Sequence, residues 1–123
     1  MSRTRLEVLQ WFALLAGPWM WATQHVLEFG LTNAHCSIPV AHWNVPVIWL
    51  NALITLVCGS AVVAAEAAAF VVYRATAAIE EYAPGPWGRL RFFAQAALLG
   101  NVLFFVIVIL DAAGAAYHGC GQA

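Results

Sequence analysis

The chain contains no lysine, and only 9% of its residues are charged. Five arginines against six acidic residues leave a formal net charge of −1, so no basic patch exists to neutralise phosphates, and nucleic-acid binding is excluded. The aromatic residues do not alternate with arginines as they would on a base-stacking platform. Hydrolase and transferase motifs are also missing: there is no GxSxG, no HExxH and no glycine-rich phosphate loop. Neither CxxC nor HxxxH occurs, and there are no internal repeats.

Apolar sequence fills the space that charge leaves. Of 123 residues 63% are hydrophobic, and the mean hydropathy of +0.80 lies outside the range of soluble domains. The sequence therefore predicts a single all-α membrane unit over residues 1–123. Three stretches, 8–32, 45–73 and 92–116, are long enough to cross a bilayer. At ~1.5 Å per residue they reach roughly 37 to 43 Å, against a hydrocarbon core of ~30 Å. The basic start of the chain is signal-like, but its apolar part runs on past the usual length without a clear cleavage site, so it reads as a retained first span. Pro18, after Gly17, is a candidate kink in that span, and APGPWG reads as the turn between the second and third.

The arginines are one-sided. Arg3 and Arg5 precede the first stretch, while Arg74, Arg89 and Arg91 lie between the second and third. Basic residues favour cytoplasmic loops, so the expectation is an N-terminus inside and a C-terminus outside, in a polytopic protein with three transmembrane helices.

Ionisable groups inside a membrane are costly and therefore informative. His25 and Glu28 fall in the first stretch, Glu66 in the second and Asp111 in the third. Counted from the outer ends, Glu28, Asn51 and Asp111 share nearly one depth, with His25 about one turn deeper. Trp21, His25, Glu28 and Thr32 form one helical stripe, and Asn101, Phe104, Val108, Asp111, Ala115 and His118 form another. The plainest reading of His25, Glu28, Asn51 and Asp111 is an intramembrane hydrogen-bonded cluster. The alternatives are a quinone headgroup or proton path using His25 with a carboxyl, and a haem or metal ligated by His25. Bis-histidine haem needs two intramembrane histidines at similar depth, and only His25 qualifies. Glu66 reads as a buried carboxyl that snorkels or bonds to Asn101, Gln95 or a partner subunit.

On the outer side lie His35, Cys36, His42, His118 and Cys120. A Cys36–Cys120 disulfide would tie the first outer loop to the tail and contribute about 2 to 4 kcal/mol. A zinc or copper site drawn from the histidines and thiols, or free thiols, are the other arrangements. Cys58 reads as a small packing residue. Gly59, Ser60, Ala61, Ala64, Ala65 and Ala68, and again Ala96 and Gly100, place small residues where another helix can approach closely. One antiparallel trio has too few interlocking side chains to use all these faces, which predicts a larger membrane complex as partner.

Gly17-Pro18 followed by Trp19, then His25, then Cys36 just outside the first helix, with Cys120 almost at the C-terminus, resembles a family of small bacterial membrane proteins found beside haem–copper cytochrome c oxidase genes. Members more often end in a Pro-Cys pair, where this chain has Gly119-Cys120. The resemblance implies an accessory or assembly role around a respiratory oxidase of the bacterial inner membrane, and carries over no activity residue by residue. A redox-active protein holding haem, copper or quinone, and a structural subunit of another membrane assembly, are the competing expectations.

The orientation is open to a direct check. A periplasm-active reporter fused after Ala123 should give signal and one fused near Ala83 should not; the reverse pattern would overturn the arginine argument.

Overall fold

The computed structural model describes residues 2–36, 47–80 and 83–117. It is all-α, with three helices in chain order: α1 (Arg3–Cys36), α2 (Val47–Ala75) and α3 (Pro86–Tyr117). Each helix packs against the other two. The contacts run in layers that fix an up-down-up arrangement. Leu6, Val72, Leu90 and Ala94 meet at one end. Ala13, Ala68, Ala69 and Ala97 form the next layer. Gln24, Thr55 and Val108 meet further along. All five arginines consequently sit toward the end marked by Leu6 and Leu90.

Two helices, α2 over Ile48–Ala75 and α3 over Pro86–Ala115, are long and apolar enough to cross a membrane. The expected span at 8–32 lies within α1, which does not join them on composition, because Gln10, Gln24, His25 and Glu28 dilute its apolar residues. Those polar residues have a sidedness of their own. Gln10, Gln24 and Glu28 are buried, whereas Leu15, Trp19, Val26 and Phe29 are exposed. α1 thus turns these three polar side chains inward and large apolar ones outward, while His25 stays on the exposed side.

The loops explain two boundaries. α3 begins six residues before the expected 92, because Pro86 suits the first helical position: its missing N–H has no partner there in any case, and its φ is preset. Gly85 precedes it at φ 83°, a conformation that a side chain would strain. At the end of α2, Thr76 Oγ1 donates to Val72 O at 2.9 Å, and Arg91 Nη1 donates to Tyr73 O at 3.0 Å with its guanidinium 4.1 Å from the Tyr73 ring centroid. Arg91 thereby satisfies a carbonyl that the helix end leaves unpaired, whereas the Thr76 hydroxyl is a second donor to Val72 O, which already accepts the Thr76 backbone N–H at 3.0 Å. Arg89 and Arg3 both approach Glu7, at 3.4 and 3.7 Å, linking the starts of α1 and α3. Exposed pairs of this kind contribute at most about 1 kcal/mol each.

Small residues set how closely the helices approach. The core is mostly alanine and valine, including Ala13, Ala65, Ala69 and Val62. Some of the small-residue face expected to await a partner is therefore used internally: Ala65 and Ala68 are buried within the trio, as is Gly59, which lies against Val108. Ser60, Ala64 and Ala96 remain exposed. α1 runs through Pro18 as helix. The preceding Gly17 admits α3, since a Cβ there would lie 2.9 Å from Asn101 Oδ1 and 3.0 Å from the Phe104 ring. Gly30 has no neighbour within 4 Å of the same position. Gly17→Ala should lower the unfolding free energy in mild detergent by about 1 to 3 kcal/mol through overpacking. Gly30→Ala should be neutral or stabilising by up to about 1 kcal/mol, because only the helix-propensity gain remains. Equal responses would show that α1 and α3 do not meet at Gly17.

Candidate functional site

The principal polar site is a hydrogen-bonded layer linking all three helices. Gln24, fully buried on α1, reaches with Nε2 to the Val108 carbonyl of α3 at 3.1 Å, to Thr55 Oγ1 of α2 at 3.2 Å and to Glu28 Oε1 at 3.4 Å. Thr55 Oγ1 donates to the same Glu28 oxygen at 2.8 Å. Glu28 therefore receives donors from two helices. A second tie lies nearer the arginine end, where Asn101 Nδ2 of α3 donates to the Ala13 carbonyl of α1 at 2.9 Å. Each bond satisfies a polar group that would otherwise lie unpaired among apolar side chains, at about 1 to 3 kcal/mol.

The four residues expected to form one cluster do not all meet. Glu28 belongs to the interior layer, but its partner on α2 is Thr55, about one turn deeper than Asn51. Asn51 Oδ1 is buried without a hydrogen-bond partner. His25 and Asp111 form a separate pair at the margin, with Nδ1 3.4 Å from Asp111 Oδ2 and the two side chains 59% and 26% exposed. That approach lacks hydrogen-bond alignment, and Asp111 Oδ2 has no aligned donor. The His25 ring lies 6.0 Å from Trp21, which in turn lies 6.4 Å from Phe104. The physical reason for the split is helical phase: Glu28 points inward and His25, three residues earlier, faces outward. The buried stripe of α1 comprises Leu6, Gln10, Ala13, Ala16, Gly17, Gln24 and Glu28, so of the expected stripe through Trp21, His25, Glu28 and Thr32 only Glu28 is buried, Trp21 and Thr32 are half-buried and His25 is exposed. The α3 stripe keeps its phase: Asn101 and Val108 are buried, and Phe104 and Asp111 are half-buried.

Glu66 lies beside Asn101 at the interface of α2 and α3. Its Oε2 is buried and unpaired. Cys58 is a buried free thiol. The proposed disulfide and outer metal set lie outside the described side chains: His42, His118 and Cys120 fall beyond the described residues, and only the helical backbone is described at His35 and Cys36. Among the described residues no group of three or more histidine, cysteine, aspartate or glutamate side chains is arranged to hold a metal ion.

Sequence reasoning missed Gln10, Gln24, Thr55 and Thr76, all of them neutral. A signal for one pair was present, since Gln24 and Glu28 are four residues apart and share a helix face. No known protein family, curated protein or solved structure matches the chain.

The interior layer predicts a graded response to substitution. Gln24→Leu removes the donor shared by three acceptors and should cost most, about 1 to 3 kcal/mol. Thr55→Val should cost roughly 0.6 to 2 kcal/mol, the range for interhelical hydrogen bonds in membranes. Asn51→Leu should cost least, because its Oδ1 has no partner to lose. Denaturant unfolding in mild detergent reads the order, and a costlier Asn51→Leu than Gln24→Leu would contradict it.

Proposed function

We propose that the chain is a three-span protein of the bacterial inner membrane, with its arginine end in the cytoplasm, acting as a small accessory or assembly subunit of a larger respiratory redox complex of the haem–copper oxidase kind. The observation that carries the membrane part is the inverted sidedness of α1. Its exposed apolar residues run from Val8 to Phe29, about 32 Å of helix, while Gln10, Gln24 and Glu28 turn inward. Composition alone understates such a helix, because its polar groups are hydrogen-bonded to or buried by its neighbours.

The partner part rests on two outward ridges of small residues. Ser60 and Ala64 on α2, and Ala96 and Gly100 on α3, are each four residues apart, and a Cβ at Gly100 would meet nothing within 4 Å. Close backbone approach at such ridges is how membrane helices associate when lipid offers no hydrophobic drive. The oxidase itself enters through the sequence resemblance.

One contact favours a second reading, cofactor ligation at His25. The Nδ1 side lies 3.4 Å from Asp111 Oδ2, near enough that a small rotation would align the carboxylate–imidazole bond that orients ligating histidines, and Nε2 is left for a ligand. On this reading further ligands come from a partner or from the outer histidines. A visible spectrum with metal analysis tests it, and His25→Gln should then abolish a band or a bound metal while the protein still inserts.

For the main reading, a tagged copy purified in mild detergent should bring oxidase subunits with it. Ala64→Leu should reduce that recovery several-fold with stability unchanged, because Ala64 is outside the trio. Ala68→Leu, inside it, should instead lower stability. Recovery of a different complex, or of a stable chain with no partner in both the wild type and Ala64→Leu, would contradict the proposal.

A further inference from the structure

A groove of about 490 Å³ lies between α2 and α3, lined by those two helices alone. That volume falls within the ~300 to 1,000 Å³ typical of small-molecule sites. Val63, Ala67, Phe70, Val102 and Phe105 on its walls are exposed, so it opens sideways from the bundle. The surface it presents is almost wholly apolar. Of its two polar residues, Asn101 donates to the Ala13 carbonyl of α1, and the Glu66 Oε2 atom is buried beside it. An occupant must therefore be apolar along the length of the groove.

The groove nevertheless has a charged head. On α2, Val63, Ala67, Phe70 and Arg74 recur at steps of four, three and four residues and so share one face. The exposed Arg74 guanidinium stands over the Phe70 ring, 5.7 Å from its centroid, at the arginine end of the groove. Arg3 and Arg89 at that end approach Glu7, and Arg91 is bonded to the Tyr73 carbonyl. Among the described residues Arg74 has no acidic partner.

The depth of the groove matches a single leaflet. The 28 residues of α2 from Ile48 to Ala75 reach about 42 Å, about 12 Å more than a ~30 Å hydrocarbon core. With the excess shared between the two ends, Arg74 lies roughly 4 to 5 Å outside the hydrocarbon boundary, in the headgroup layer. Phe70 then lies at about the boundary and Val62 roughly 13 Å inside it, so the groove runs down one leaflet of ~15 Å. Apart from Ala67 the apolar lining is valine, leucine and phenylalanine, too large to let a second helix backbone approach closely. A flexible hydrocarbon chain needs no such approach, and it gains dispersion contacts with both walls.

We propose that this groove holds one acyl chain of a phospholipid from the leaflet at the arginine end, with the lipid phosphate bonded to Arg74. The planar guanidinium matches phosphate oxygens in a bidentate pair. The Phe70 ring beneath it lies where headgroup gives way to chain. The inference rests on the membrane part of the reading above, and requires neither the oxidase nor ligation by His25.

The test is equilibrium binding of tritiated dioleoyl phosphatidylglycerol to the purified, delipidated full chain in mild detergent. Binding should be saturable. Dioleoylglycerol, which keeps the chains without the phosphate, and glycerophosphoglycerol, which keeps the phosphate without the chains, should each compete at least about tenfold more weakly. Arg74→Gln should weaken binding at least about fivefold, the fold-change of one arginine contact to an anionic lipid. Arg5→Gln removes the same charge at the same end, away from the groove, and should change binding little. Ala67→Trp should fill the groove and abolish saturable binding. Positions 67 and 74 are both exposed, so neither substitution disturbs the trio. Absence of saturable binding, unchanged binding by Arg74→Gln or Ala67→Trp, or an equal loss in Arg5→Gln would each overturn the proposal. A photocrosslinker at position 63 should label phospholipid in native membranes, and labelling of a protein alone would assign the groove to a partner and overturn it as well. Flotation with liposomes separates the two readings: a chain that floats but binds no phosphatidylglycerol saturably overturns the groove alone, and a chain that does not float overturns both.

Discussion

The arrangement depends on where the polar groups of α1 point. In a hydrocarbon solvent an unpaired amide or carboxyl is expensive, and burial of apolar surface supplies no drive because lipid tails are equally apolar. A bundle in that medium is held by interhelical hydrogen bonds and by close packing. Gln24 meets both needs: it is fully buried and reaches α2, α3 and Glu28 through one nitrogen. Asn101 does the same between α3 and α1 with the Ala13 carbonyl.

The small-residue core follows from those bonds. A side-chain amide reaches a neighbouring backbone carbonyl only if the helices lie close, and Ala13, Gly17, Ala69 and Ala97 allow that approach. Beside Gly17 the fit is tight enough that Asn101 itself occupies the space a methyl group would need. Large apolar side chains are left for the outside, including Trp19, Val26, Ile48, Leu99 and Leu110. A soluble three-helix bundle would distribute them the other way.

That inversion also explains what was legible in the sequence. α2 and α3 were recognisable because they are long and apolar on average, and the arginines marked one end of the bundle. The boundary at Pro86 was missed because a Pro-Gly-Pro run reads as a turn, whereas the second proline starts a helix. On α1 the ionisable residues were read as the interior stripe, but His25 and Glu28 lie three residues apart near the edge between two faces, and only Glu28 points in. Neutral Gln24 and Thr55 drew no attention because the expected cluster was built around the ionisable residues, with Asn51 added only for its matching depth. In hydrocarbon an amide or hydroxyl needs a partner as well. Glu66 was singled out and Asn101 named among its partners, and the two lie side by side between α2 and α3.

The central claim is that α1 crosses the membrane with its polar face turned to the other two helices. Spin labels placed singly from position 8 to position 32, with the protein in lipid bilayers, test it through their accessibility to oxygen and to a water-soluble nickel chelate. Labels at Leu15, Trp19, Val26 and Phe29 should be open to oxygen and closed to the chelate. Those at Gln10, Ala13, Gly17, Gln24 and Glu28 should be closed to both, with a period near ~3.6 residues. Accessibility to the chelate along the whole of α1 would place it outside the bilayer and contradict the account.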